Sequence, residues 1–72
     1  MSRMVQLLSQ ASRLRASGNL PGAERMLSQA AQADPRHAGV LHQLGLVQLE
    51  QRRAAEAVSN FARSIALRPD HA

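Results

Sequence analysis

The strongest constraint on this 72-residue chain is that it repeats itself at a spacing of 34 residues. "DPRHA" at 34–38 returns as "RPDHA" at 68–72, so that Pro35 matches Pro69, His37 matches His71 and Ala38 matches Ala72. Leu7 likewise matches Leu41, and Ala23 matches Ala57. A fixed period of this size is the signature of stacked supersecondary units, each of which buries its apolar face against the next.

The unit is helical. Phe61 is the one aromatic residue, so a core must be built from Leu, Val, Ile, Met and Ala. Ala and Leu favour helix, and β-branched residues are few. Val5, Leu7, Leu8, Ala11 and Leu14 form a helical apolar stripe over about 2–17. Gly18 suits a left-handed helix end, Asn19 a cap, and Pro21 the first turn of a second helix over 20–33. The inner face of that helix is Ala23, Met26, Leu27, Ala30 and Ala31. Asp34 as N-cap and Pro35 as first residue predict a third helix ending near Glu50, with Leu41, Leu44, Gly45 and Val47 inward. The turn after it lacks Gly, so Arg52 or Arg53 is expected in a strained conformation costing about 1 kcal/mol. A fourth helix covers 54–67, with Ala57, Val58, Phe61, Ser64 and Ile65 on its apolar side. Three short connections make neighbouring helices antiparallel.

Several classes are disfavoured. There is no Cys, hence no disulfide or thiolate site. No stretch has the roughly 18 apolar residues of a membrane span. The first 23 residues lack acids and carry Arg3, Arg13 and Arg15, a composition shared with transit peptides. Their place in the 34-residue register reads as an ordinary first helix. The compartment stays open, with the cytoplasm as default. Net charge is +4 from nine Arg and no Lys, but the Arg residues are scattered, and stacking aromatics for nucleic acid are missing. Arg52 and Arg53 read as a solvated turn. His37 and His42 are five apart and point to different sides of a helix, so with His71 they read as surface or interface groups, not metal ligands. No carboxylate pair, nucleophile arrangement or phosphate loop supports catalysis, and no cofactor is expected.

On these residues the chain resembles the tetratricopeptide repeat family, whose unit is a 34-residue helix–turn–helix. The second copy carries Leu41, Leu44-Gly45, Gln48, Ala57, Phe61 and Pro69; the first carries Leu7, Gln10-Ala11, Leu14, Gly18, Ala23, Leu27, Ala30 and Pro35. Leu41 and Gln48 stand where the family usually has Trp and Tyr, and Gln10 replaces an apolar residue. The resemblance covers about 4–71: repeat 1 at 4–37, repeat 2 at 38–71, and the start of a third at 69–72. It implies an all-α chain of two stacked antiparallel hairpins, a fragment of a right-handed α-solenoid.

It also implies a concave face, lined by Val5, Leu8, Ser9, Ser12 and Arg15 in the first repeat. In the second, Gly39, His42, Gln43, Leu46, Leu49 and Glu50 line it. Such faces commonly take peptides or partner helices. Leu8, Ser12 and Gln43 do not reproduce the Lys, Asn and Arg that clamp carboxylate termini in some members. At the far end Val58, Phe61 and Ile65 form a flank that should be covered, since terminal repeats usually carry polar caps. The expected function is therefore a non-enzymatic scaffold that binds a protein or peptide in the groove. The alternatives are a self-assembling subunit, dimeric or end-to-end filamentous, and a piece of a longer array. A nucleic-acid-binding repeat and a membrane partner are disfavoured.

Overall fold

The computed structural model describes residues 2–67 as four helices: α1 Arg3–Ala16, α2 Leu20–Ala33, α3 Ala38–Glu50 and α4 Ala54–Ala66. The expected third-repeat opening at 69–72 lies outside the described residues. Helices α1 and α2 form one hairpin, α3 and α4 a second, and α2 packs on α3 to join them.

The two hairpin turns are the same turn. In the first, Gly18 has φ 88°, its N–H donates to Arg15 O at 3.1 Å, and Asn19 N–H donates to Leu14 O at 2.8 Å. In the second, Arg52 has φ 64°, its N–H donates to Leu49 O at 2.9 Å, and Arg53 N–H donates to Gln48 O at 2.9 Å. Both are Schellman closures, in which a left-handed residue lets two N–H groups satisfy the last free carbonyls of a helix. The expected strain falls on Arg52.

Asn19 Oδ1 then caps α2 by accepting from Gly22 N–H at 3.0 Å. One period later Arg53 has no capping acceptor, and its guanidinium pairs instead with Glu56 in the first turn of α4 (Nε to Oε1, 2.7 Å). That carboxylate also opposes the positive end of the helix dipole.

One helix start differs from expectation. Asp34 ends α2 rather than capping α3, and α3 begins at Ala38, not Pro35. Asp34 is extended (φ −143°), and its Oδ1 accepts from Arg36 N–H at 3.3 Å. Its carbonyl accepts from His37 N–H at 3.1 Å, closing a turn around Pro35 and Arg36. His37 is the true cap: its Nδ1 accepts from Val40 N–H at 3.2 Å. Asp thus satisfied a turn, the other structure its side chain favours.

The core lies where the hairpins meet. Leu27, Leu44 and Val47 form one buried cluster with Ala11 and Ala23; Leu7, Ala30 and Val40 form another. Leu41 and Ala57 are also buried. Between α3 and α4, a Cβ on Gly45 would stand 2.7 Å from Phe61 Cε1, so the ring occupies the notch that glycine leaves. Val58 and Ile65, expected on the apolar side of α4, are 64% and 65% exposed. The buried face of that helix is Ala57, Asn60 and Ser64.

Its polar members are bonded. Asn60 Nδ2 donates to Gln48 Oε1 at 2.7 Å, Gln48 Nε2 donates to Glu24 Oε2 at 3.3 Å, and Ser64 Oγ donates to Ala38 O at 2.9 Å. Glu24 Oε1 also accepts from Gln51 Nε2 (2.8 Å) and Arg53 Nη1 (2.6 Å). One chain of polar groups therefore ties α2, α3 and α4 together. Among the described residues no buried side-chain polar atom lacks a partner.

Two substitutions test these contacts by thermal unfolding. Arg52→Gly should stabilise the chain by about 1 kcal/mol, because glycine adopts the left-handed position without a Cβ clash. Gln48→Leu should destabilise it by about 1–3 kcal/mol, because Asn60 and Glu24 lose partners inside the structure.

Candidate concave binding face

The carboxyl ends of α1 and α3 lie side by side. Arg15 Nε donates to Glu50 Oε1 at 2.8 Å and Nη2 donates to Oε2 at 3.2 Å. This two-pronged ion pair bridges the two helices. Hydrogen bonding to Arg15 holds the Glu50 carboxylate below its ordinary range, and the same bond raises Arg15. The residues are 35 apart, one period plus one, so they occupy neighbouring positions on successive first helices.

Beside the pair is a cavity of about 260 Å³. Leu8, Ala11, Leu27 and Val47 supply its apolar lining. Ser12, Arg15, His37, Gly39 and Gln43 complete it. Of the residues expected in the groove, Leu8, Ser12, Arg15, Gly39 and Gln43 are thus gathered at one cavity. Val5, Ser9, His42, Leu46, Leu49 and Glu50 are not part of its lining. Val5 and Leu49 are exposed, and Leu46 is half-buried. His42 is exposed and leans on Phe61, with ring centroids 5.5 Å apart.

Sequence reasoning missed two kinds of lining residue. Ala11, Leu27 and Val47 read as pure core, yet each also borders the cavity. His37 escaped because Asp34-Pro35 looked like the better helix start; moving the start to Ala38 brings His37 to the groove.

The chain has the four helices, the period and the hairpin turns of a helical repeat, and the family model described as tetratricopeptide repeat matches residues 14–72. The chain belongs to the tetratricopeptide repeat family. Members of that family are non-catalytic repeats that mediate protein–protein interaction. No curated protein and no solved structure gives a significant match to this chain. Among the described residues no three His, Asp or Glu side chains come together as a metal site, and no helix is long and apolar enough to cross a membrane.

Two ion pairs of this repeat protein should contribute to its acid response. Glu50 is lowered by Arg15, and Glu56 is lowered by its hydrogen bonds with Arg53. A carboxylate lowered in the folded state contributes stability above its unfolded pKa and loses that contribution as pH falls through the folded value. The contribution of these two carboxylates to the melting temperature should therefore persist above the ordinary carboxylate range and fade as pH falls through and below it. A Glu50→Gln, Glu56→Gln double variant should show a shallower drop. An equal drop in the variant would assign the acid response elsewhere.

Proposed function

We propose that the chain is a non-enzymatic interaction module that receives a helix or extended protein segment across α1 and α3. The observation that carries this reading is the cavity beside the Arg15–Glu50 pair, with its apolar lining and its rim of Ser12, Gln43 and His37. At about 260 Å³, it falls below the roughly 300–1,000 Å³ of small-molecule sites. That size suits one or two apolar side chains projecting from a partner segment. Leu46 and Leu49 continue an apolar strip along α3 beyond the cavity, where a longer segment would lie. Such binding depends on a few buried anchors surrounded by polar contacts.

A peptide library displayed on phage, selected against the intact chain, tests this. Selected sequences should share an apolar anchor. Ser12→Arg, at an exposed position on the cavity rim, should weaken their binding at least about tenfold, a loss of about 1.4 kcal/mol, with the helical circular dichroism unchanged. Selected peptides that bind Ser12→Arg as well as the parent would place the binding site elsewhere.

A further inference from the structure

A helix N-cap needs one acceptor. Ser2 Oγ supplies it to Val5 N–H at the start of α1, and Asn19 Oδ1 supplies it to Gly22 N–H at the start of α2. At the start of α3 the acceptor is an imidazole nitrogen: His37 Nδ1 takes the N–H of Val40 at 3.2 Å. That bond fixes the tautomer. A ring nitrogen that accepts carries no proton, so the proton of the neutral ring sits on Nε2, which is then a donor. Among the described residues Nε2 has no hydrogen-bond partner. The same side chain lines the cavity between α1 and α3. The cap of α3 therefore brings a donor of fixed identity to the cavity.

The other charged group of the lining makes the same demand on a ligand. Arg15 uses Nε and Nη2 on Glu50, which leaves Nη1 to donate. Ser12 and Gln43 can donate or accept. No lining side chain is a carboxylate. Elsewhere the described acids are already engaged: Glu24, Glu50 and Glu56 are each paired with an Arg, and the Asp34 carboxylate accepts from Arg36 N–H. Of the described Arg residues, only Arg15 and Arg53 belong to these ion pairs, and the chain has a net charge of +4. A segment that carries negative charge is complementary to this surface.

We propose that His37 is a specificity-determining residue of the cavity, selecting partner segments in which an Asp or Glu side chain lies close to the apolar anchor. The anchor enters against Leu8, Leu27 and Val47, and the carboxylate accepts from His37 Nε2–H in a charge-assisted bond. The acid belongs to a side chain and not to a chain terminus, because the apolar strip of Leu46 and Leu49 carries the segment on past the cavity. This inference rests on the cavity being the site that a partner segment occupies. One imidazole then has two roles, with Nδ1 holding the first turn of α3 and Nε2 reading the partner.

Peptides selected on phage against the intact chain, and sensitive to Ser12→Arg, are the probes. They should carry Asp or Glu close to the apolar anchor. Calorimetry then compares one such peptide with two relatives, one with its acid replaced by the matching amide, the other with only its C-terminus amidated. Replacing the acid should weaken binding about tenfold, in keeping with a hydrogen bond to a charged group. Terminal amidation should change nothing. His37→Ser keeps an acceptor for the cap but is too short to reach the partner. It should weaken the acidic peptide about tenfold and the amide peptide by much less, with the helical circular dichroism retained. Ser12-sensitive peptides without an acid overturn the proposal. So does an equal loss for both peptides in His37→Ser, which would leave His37 a cap alone, or a loss on terminal amidation as large as on acid replacement. Selected peptides indifferent to Ser12→Arg overturn the groove reading, and this proposal with it.

Discussion

The fold depends on how α2 is shared. One edge of that helix closes the first hairpin, with Ala23 and Leu27 gathered in the cluster that contains Ala11. Another edge carries the second hairpin, because the same cluster includes Leu44 and Val47 of α3, and Ala30 joins Val40 nearby. Small residues set the distance. Ala11, Ala23 and Ala30 are each at most 4% exposed, so helices can approach closely, and Leu27 fills the space that remains. Two hairpins of this size bury little on their own. Their shared layer packs the two hairpins together, and the Arg15–Glu50 pair links α1 to α3 across it.

A second element binds the layer from its polar side. The family usually places Tyr where this chain has Gln48. Here a line of amides and carboxylates runs from Glu24 through Gln48 to Asn60, with Gln51 and Arg53 converging on Glu24. An aromatic side chain fills volume without requiring many partners. A buried amide must have both its donor and its acceptor answered, so each residue in this line constrains the next. The arrangement links α2, α3 and α4 through directional bonds in addition to their apolar contacts.

The period and the spacing of small and large apolar residues made the four helices, their hairpin pairing and the exposed Val58 and Ile65 legible in the sequence. Gly18 was legible too, and the missing Gly of the second turn narrowed its left-handed residue to Arg52 or Arg53, of which the structure has Arg52. Misread features involve local polar choices. Asp34 can cap a helix or close a turn, and only the path around Pro35 decides between them. Gln48 stood out in the sequence only as a departure from the family's Tyr and Asn60 not at all, since nothing in a one-dimensional pattern shows that they answer each other. Of the residues expected along a groove on α1 and α3, only Leu8, Ser12, Arg15, Gly39 and Gln43 line the cavity. Val5, His42, Leu46 and Leu49 lie outside its lining because depth is set by neighbours on α2, which helical phase on α1 and α3 cannot reveal.

Phe61 has a position that no other side chain shares. Its ring fills the hollow above Gly45, touches His42 toward the concave side, and forms part of the open edge of α4. The lone aromatic of the chain thus helps to shape two outward-facing surfaces at once, the one that carries His42 and the flank of α4 that carries Val58 and Ile65.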